Sequence, residues 1–411
     1  MSSLPLAEIV QPQQYFQKGL GLKAVAQEQL SRHYHSRLVE YLRTHEHNLR
    51  VGNLRFFLAK EFGFCYGVDR AVEYAYETRT RFPERDLFIT GEIIHNPHVN
   101  QRLKDMGIRF LSGEGALPGA WEGLGAADVV ILPAFGVTVE QMTLLRGKGC
   151  TLVDTTCGSV LNVWKNVERY SREGYTSLIH GKYQHEETRA TASRTSLHPD
   201  GKYLVVRDLE ETGRVAEYIR GGGDSRAFLA QFLPACSEGF DPDADLIRLG
   251  LANQTTMLSS DSLRVAEEVR RAMVDRYGEA ALEEHFRSFD TICSATQDRQ
   301  DAVNRLLRDG VSLMLVIGGY NSSNTNHLAE IAAEKVPTFH IEDAGCLLDA
   351  GTIRHKPVGE KRPRLGSGWL PEGPAVIGIT AGASTPNNRI GEVVVRILEI
   401  RGVELAELPP A

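Results

Sequence analysis

The 411-residue sequence has little of what marks several common classes of protein. Its six cysteines are too few for a disulfide scaffold, and no CxxC pair occurs. A formal charge of −7 argues against general nucleic-acid binding, which depends on a basic surface. No apolar run approaches the length that spans a bilayer, and the N-terminus shows no secretion signal. We therefore expect a cytoplasmic protein, with reduced cysteines and with neither a membrane nor a nucleic acid as partner.

Short apolar runs alternate with helical patterns along most of the chain. This alternation predicts an α/β fold with largely parallel sheets, and the length predicts two or three domains. The predicted strands are 87–90, 129–133, 177–180, 203–206, 312–317 and 375–380. The predicted helices are 68–81, 138–147, 160–173, 261–277, 297–308, 325–335 and 388–400.

Two segments are expected to lie outside this regular pattern. Residues 1–55 precede the first clear motif, and their apolar residues at helical spacing predict an extension that packs on the rest of the chain. These apolar residues are Leu22, Val25, Leu30, Leu38 and Leu42. Residues 354–374 are rich in proline, glycine and basic side chains, which predicts an extended linker or flap.

Three cysteines share one local context. Cys65 lies in GFCYGVDRAV, Cys157 in VDTTCGSVLNVWKNV and Cys293 in DTICSATQDRQDAV. In each case an amphipathic helix is predicted to begin two to four residues later, and a helix N-terminus stabilises a thiolate. Gly63 and Gly67 are expected to let the backbone pass close to a bulky group. Three such thiolates suit an iron–sulfur cluster or zinc, although spacing alone favours buried structural cysteines.

The other three cysteines lack this context, and we predict them to be structural. They are Cys150, which starts an apparent strand, Cys236 and Cys346.

Five polar loops follow apolar runs and carry neutral hydrogen-bond donors. Their sequences are EIIHNPHVN, HGKYQHEET, LANQTTM, GGYNSSNTNH and ITAGASTP. The lysine-bearing phosphate motif GxxxxGK[ST] is absent. Hydroxyls, amides and helix-terminal N–H groups can nevertheless bind a diphosphate without fixed cations. Any single loop of this kind equally fits a capped turn.

These motifs, in this order and approximate spacing, resemble 4-hydroxy-3-methylbut-2-enyl diphosphate reductases, the LytB-type enzymes that end the non-mevalonate isoprenoid pathway. The resemblance covers roughly residues 56–400 and is closest to the cyanobacterial and plastid branch. It implies a trefoil-like arrangement of three small α/β domains around a central [4Fe–4S] cluster. The implied divisions are a 1–55 extension, domains at 56–157, 158–290 (with an insertion) and 291–400, and a 401–411 tail.

The resemblance also implies the site residues. Cys65, Cys157 and Cys293 correspond to the three cluster ligands, which leave one iron open. The implied ligands of the diphosphate are His95, His185, Ser322, Ser323, Asn324 and Ser384. Glu187 corresponds to the proton donor and Thr255 to its neighbour at the substrate hydroxyl. Without the resemblance, Glu187 equally fits a solvated surface acid beside Glu186.

The implied reaction is reductive dehydroxylation of the allylic diphosphate substrate to isopentenyl and dimethylallyl diphosphate, with reduced ferredoxin or flavodoxin as electron donor. Two alternatives are a non-catalytic iron–sulfur carrier or redox sensor, and a zinc protein that uses the three cysteines with a histidine such as His95. One departure from the family pattern is Phe135, which stands where many bacterial members have a histidine. A diphosphate contact or a proton relay is therefore expected to be missing.

Overall fold

A computed structural model describes residues 14–113, 116, 118–289 and 291–403. The chain packs as two compact units. The first unit takes in the described residues of Met1–Lys18, Glu84–Gly91 and Arg109–Cys293. The second unit takes in those of Gly19–Pro83, Glu92–Ile108 and Ser294–Ala411.

Two parallel sheets form the framework of the first unit. The strands of one are β1 (Tyr15–Phe16), β4 (Leu87–Ile89), β5 (Ile108–Phe110), β6 (Val129–Leu132) and β7 (Thr151–Asp154), in the order β1-β7-β6-β4-β5. Those of the other are β8 (Thr176–His180), β9 (Tyr203–Val206), β10 (Leu249–Asn253) and β11 (Phe286–Ser288), in the order β11-β10-β8-β9. Every residue of β6, β8 and β10 is buried, as expected of parallel strands covered on both faces.

The second unit has one main sheet and a separate hairpin. The strands of the sheet are β2 (Asn48–Val51), β3 (Leu54–Leu58), β12 (Leu313–Ile317), β13 (Thr338–Ile341) and β16 (Ala375–Ala381), in the order β13-β12-β16-β3-β2. Only β2 runs antiparallel among these described strands. The hairpin pairs β14 (Thr352–His355) with β15 (Arg364–Ser367).

Helices connect the strands in both units. Those of the first unit are α5 (Ala120–Gly123), α6 (Val139–Gly147), α7 (Gly158–Arg172), α8 (Glu186–Ser193), α9 (Leu209–Gly221), α10 (Ser225–Phe232), α11 (Pro242–Asp245), α12 (Ser259–Tyr277) and α13 (Leu282–His285). Those of the second unit are α1 (Lys23–Tyr34), α2 (Arg37–Thr44), α3 (Tyr66–Arg81), α4 (Pro97–Asp105), α14 (Ser294–Leu306), α15 (Ser323–Ala333) and α16 (Asn387–Ile400). None of the described helices is both long enough and apolar enough to cross a membrane.

The predicted α/β class with mostly parallel sheets is confirmed. The predicted domain ranges stay a prediction, because packing groups the chain differently from a simple division in chain order. Strand β3 pairs with β16, so residues near 56 join the sheet built by the C-terminal part of the chain. Of the predicted 1–55 extension and 401–411 tail, residues 1–13 and 404–411 lie outside the described residues.

The extension packs on the body of the chain as expected: β1 joins a sheet of the first unit, and residues 19–55 pack in the second unit, with one exception among the predicted apolar contacts. Helix α1 lies against α3, and the apolar residues Leu30, Leu38 and Leu42 are buried. Val25 was expected in the same face but is 43% exposed, because it lies on the side of α1 that faces away from the core.

The 354–374 segment is not simply an extended linker. Its first residues complete strand β14, and residues 364–367 form β15, so that most of the segment is an antiparallel hairpin with its turn. The local composition hid this pairing, because proline, glycine and basic residues dominate the turn.

One glycine in the first unit is required by close packing. An added Cβ at Gly250 in strand β10 would lie 2.3 Å from the Tyr170 ring, which is fully buried. We expect Gly250→Ala to lower the free energy of unfolding by about 1–3 kcal/mol, because the ring has no space to move. Thermal and urea unfolding followed by circular dichroism measure this loss.

Gly213→Ala is the matched control for this change. Gly213 lies in helix α9 with no atom within 4 Å of an added Cβ, so this variant should gain about 0.5–1 kcal/mol. An unchanged midpoint for Gly250→Ala would contradict the packing argument.

Candidate active site

In each of the three main sheets, one strand leads into a loop that ends in a cysteine at the start of a helix. These strands are β3, β7 and β11. Cys65 is the N-cap of α3 and Cys157 is the N-cap of α7. Cys293 directly precedes α14. The predicted gap of two to four residues is therefore wrong, because the helices begin at the next residue. Each cysteine therefore directly precedes the unpaired N–H groups of the first helical turn.

Exposure divides the six cysteines into two groups. All six lie among the described residues, and none forms a disulfide. Cys65, Cys157 and Cys293 are half-buried, whereas the other three are buried. Burial raises the pKa of the Cys150 and Cys236 thiols, which keeps them protonated. Only the first group therefore combines solvent access with a helix N-terminus, which is the combination typical of a reactive thiol.

The loop that carries Cys157 is held by a buried carboxylate. Asp154 Oδ1 accepts hydrogen bonds from the Thr156 backbone N–H (2.9 Å) and hydroxyl (2.5 Å). Its Oδ2 accepts the phenol O–H of Tyr15 in the N-terminal strand. The Cys157 N–H donates to the Ala134 carbonyl at 3.0 Å. Both sides of the loop are thus tied to neighbouring strands of one sheet.

The Tyr15 phenol is suited to its role as a donor. Burial, and then the charge of Asp154, raise the pKa of Tyr15 above its usual value. Strand β1 fixes the residue by pairing with the edge of β7, where Tyr15 lies opposite Leu152.

A continuous line of contacts joins Cys293 to Glu187 in the first unit. The Cys293 N–H donates to the Thr255 carbonyl at 3.3 Å, and the Thr255 N–H donates to Glu187 Oε1 at 2.6 Å. The Ser159 hydroxyl donates to Cys293 Sγ at 3.3 Å, so the sulfur already accepts a hydrogen bond from the start of α7.

Glu187 is not the solvated acid that its neighbour suggested. Its side chain is 2% exposed, whereas Glu186 is exposed. A carboxyl group at such a site, facing the backbone of Thr255, has lost most of its water. Burial of this kind is common where a carboxyl group handles protons.

His185 precedes Glu187 and caps helix α8. Its Nδ1 accepts the Glu187 backbone N–H at 3.2 Å, which leaves Nε2 as the protonated nitrogen of the neutral ring. Phe135 packs edge-on against this ring, with 5.6 Å between ring centroids. Phe135 therefore supports the imidazole by packing and offers no polar group to a ligand.

In the second unit, three predicted residues meet at the carboxyl ends of the neighbouring strands β12 and β16. Asn324 Oδ1 accepts the Ala383 N–H at 3.0 Å, and the Ser384 hydroxyl donates to the His95 carbonyl at 3.1 Å. The Ala383 carbonyl accepts the Cys65 N–H at 3.2 Å. Cys65 and the predicted diphosphate loops of this unit are thus joined through one residue.

Two side chains in these loops have hydrogen-bonding capacity suited to an anion. Asn324 Nδ2 is buried and finds no partner among the described residues. An unsatisfied buried donor costs about 1–3 kcal/mol, so a ligand that accepts from it is favoured. Ser322 Oγ accepts the Thr325 N–H as the N-cap of α15, which leaves its own O–H to donate.

His95 is oriented by an acid on its own loop. Its Nδ1 lies 2.8 Å from Glu92 Oε2, which favours the tautomer with the proton on Nδ1 in the neutral ring. The ring itself is 9% exposed.

The turn before Cys65 is fixed by protein contacts. Gly63 has φ of +71°, and an added Cβ would lie 2.9 Å from Asn387 Oδ1. The Arg299 guanidinium donates to the Gly63 carbonyl at 2.7 Å. The glycine is thus required by the turn and by Asn387, and its predicted role beside a bulky group stays a prediction.

A cavity of about 450 Å³ opens beside Cys65 within the second unit. Gln27, Tyr34 and Arg43 of the N-terminal extension line it together with Cys65 and Tyr66. The extension therefore forms part of the wall around this cysteine.

Comparison with known proteins identifies the family. Residues 56–398 match the family model described as LytB protein. The chain belongs to the LytB family. It is 51% identical over 398 residues to the 4-hydroxy-3-methylbut-2-enyl diphosphate reductase of Gloeobacter violaceus, covering 96% of this chain and 94% of the relative. The same enzyme of Thermosynechococcus vestitus is 48% identical, with 95% of each chain covered.

Two solved structures share the fold of this chain. One, described as (E)-4-hydroxy-3-methyl-but-2-enyl diphosphate reductase, the terminal enzyme of the non-mevalonate pathway, is 30% identical, with a TM-score of 0.51 over 84% of this chain and 99% of that one. The corresponding reductase of Plasmodium falciparum has a TM-score of 0.60 over 86% of this chain and 93% of that one; at 19% identity, it supports the fold alone. The resemblance inferred from the motifs is confirmed, and the LytB family is one of iron–sulfur enzymes.

Sequence reasoning missed Tyr15 and Asp154. The Asp-Thr-Thr run before Cys157 does contain a signal, since an aspartate often accepts the N–H two residues on. Nothing local indicates Tyr15, whose contact spans 139 residues.

We expect Tyr15→Phe to lower the free energy of unfolding by about 2 kcal/mol, because the buried side chain of Asp154 loses a hydrogen-bond donor. Urea unfolding of the reduced protein measures the change. Tyr183→Phe, at a 40% exposed tyrosine of the same unit, is the control and should be close to neutral. Equal effects of the two variants would show that the Tyr15 hydroxyl contributes nothing.

Proposed function

We propose that this chain catalyses the reductive dehydroxylation of (E)-4-hydroxy-3-methylbut-2-enyl diphosphate to isopentenyl and dimethylallyl diphosphate. The membership in the LytB family and the nearly full-length match to named reductases support this function. The single observation that carries it is the buried Glu187, whose carboxyl group contacts Thr255 next to Cys293.

Cys65, Cys157 and Cys293 are the proposed ligands of a [4Fe–4S] cluster that has one iron without a protein ligand. Half-buried thiols at three helix starts fit soft sulfur ligation, and Ser159 is placed to hydrogen-bond one of them. When bound, the cluster supplies electrons and a Lewis-acidic iron for the substrate oxygen.

The diphosphate is proposed to bind neutral donors. In the second unit these are the side chains of His95, Ser322, Ser323, Asn324 and Ser384, and the resemblance adds His185 of the first unit. Asn324 is the best supported of them, because its buried amide N–H lacks a partner among the described residues. The start of α15 contributes backbone N–H groups and a favourable dipole.

Glu187 is the proposed general acid. Breaking the allylic C–O bond releases hydroxide, a poor leaving group, unless a proton reaches that oxygen as the bond breaks. The reaction consumes two electrons and two protons: one proton leaves with the oxygen as water, and the other forms the new C–H bond. The contact with the Thr255 backbone holds Glu187 Oε1 in place, so that its carboxyl group is oriented before substrate arrives.

The proposed electron donor is reduced ferredoxin or flavodoxin. Anaerobically purified protein should show the broad visible absorption of an iron–sulfur cluster and convert the substrate with dithionite or reduced ferredoxin. A colourless zinc protein would exclude the proposal, and a coloured protein without turnover would leave the carrier or redox sensor as the function.

We expect Glu187→Gln to lower turnover by about 10²–10⁴-fold, because the amide is isosteric but cannot donate a carboxylic proton. Glu210→Gln, at an exposed acid of the same unit, is the matched control and should keep activity within about twofold. Both variants should keep the cluster absorption of the parent protein. Full turnover by Glu187→Gln would exclude this residue as the acid while leaving the family assignment intact.

A further inference from the structure

A lysine in the hairpin of β14 and β15 contacts the loop that carries the proposed diphosphate ligands. Lys356 directly follows β14, and its backbone N–H donates to the His340 carbonyl of β13 at 2.9 Å. This contact fixes the start of the hairpin turn against the main sheet of the second unit. The side chain of Lys356 is half-buried, unlike those of the exposed basic residues farther along the turn.

The Lys356 ammonium bridges two points of the loop between β12 and α15. Its Nζ donates to the Tyr320 carbonyl at 2.8 Å and to Asn326 Oδ1 at 2.8 Å. Asn326 Nδ2 also donates to the Tyr320 carbonyl, at 3.2 Å. Since Tyr320 precedes Ser322 and Asn326 follows Asn324, the bridge closes around the three consecutive residues proposed to bind the diphosphate.

Two further contacts, made by His340 and Cys346, fix the loop between β12 and α15. The His340 ring donates from Nε2 to the Gly318 carbonyl at 2.9 Å, and burial lowers its pKa to about 4, so that it remains neutral. The Tyr320 hydroxyl lies 3.5 Å from Cys346 Sγ. Lys356 is thus the cationic member of a set of contacts that fixes the loop from outside.

A cation in this position has two physical effects on an anion bound by the loop. It reduces the number of conformations of the loop before binding, which lowers the entropy cost of association. It also adds a positive charge beside Ser322, Ser323 and Asn324, whose side chains are uncharged, and inside a protein such a charge acts more strongly than in bulk water.

We infer that Lys356 is a positioning residue for the diphosphate subsite, acting through Tyr320 and Asn326 and not by direct contact with the reacting atoms. The inference rests on the proposed function of Ser322, Ser323 and Asn324. The hairpin would thus stabilise the conformation in which the loop between β12 and α15 binds a diphosphate group.

The test compares Lys356→Met with Lys356→Arg and with Lys361→Met, which removes an exposed lysine from the same hairpin turn. Calorimetry of the cluster-loaded protein with inorganic diphosphate gives a Kd that does not depend on electron delivery. We expect Lys356→Met to raise this Kd and the KM for substrate about tenfold, with kcat within twofold, because an interaction shared by ground and transition states is lost. Lys356→Arg should recover part of the loss, and Lys361→Met should match the parent protein.

Asn326→Ala is the second variant and removes the other half of the bridge. Its effect and that of Lys356→Met should be less than additive in the double variant, since both act through one contact. An unchanged Kd in Lys356→Met, or equal losses in Lys356→Met and Lys361→Met, would overturn the inference. If the parent protein turns over substrate but does not bind inorganic diphosphate, the positioning role fails while the reaction stands. If the parent protein does neither, the proposed function fails first.

Discussion

The geometry of a parallel strand followed directly by a helix is the constraint on which both parts of the candidate site depend. The chain must turn at the carboxyl end of the strand, and the helix that follows points its unpaired N–H groups at that turn. Cys65 and Cys157 are N-caps at such turns, and Cys293 directly precedes a helix. The same turn geometry places His185 before α8 and Ser322 before α15. The same local geometry therefore gives the proposed metal-binding cysteines and the proposed anion-binding residues the same partial positive charge of a helix N-terminus.

The polar residues of the site are held mainly by backbone groups. Glu187 accepts from the Thr255 N–H, Asn324 accepts from the Ala383 N–H, and Ser384 donates to the His95 carbonyl. Backbone partners cannot be lost by substitution and move little, so these side chains are oriented before a ligand arrives. Such preorganisation requires well-packed sheets beneath the loops, and the fully buried strands β8, β10 and β12 provide them.

The sequence allowed much of this arrangement to be predicted, because local pattern determines where a strand ends and a helix begins. The six predicted strands and the three cysteines in their shared context are examples. Contacts between distant parts of the chain had no local signal. The pairing of β3 with β16, the Tyr15 contact with Asp154 and the Lys356 bridge all join residues separated by tens to hundreds of positions. The burial of Glu187 likewise had no local signal. Two adjacent acids in a sequence are typical of a solvated surface, and only the tertiary packing buries one of them and leaves the other exposed.

The sheet of the second unit combines strands from both ends of the chain, and this limits the order in which the protein can fold during synthesis. Strand β16 lies between β12 and β3, and the Cys65 N–H bonds the Ala383 carbonyl. A nascent chain that has already exposed Cys157 and Cys293, with the sheets of the first unit complete, still lacks the strand that fixes Cys65. The complete set of three thiols is therefore in its folded position only when almost the whole polypeptide has left the ribosome. On the proposed function, a cluster bound by these three cysteines would be inserted late, and a chain that ends before β16 would lack an ordered Cys65.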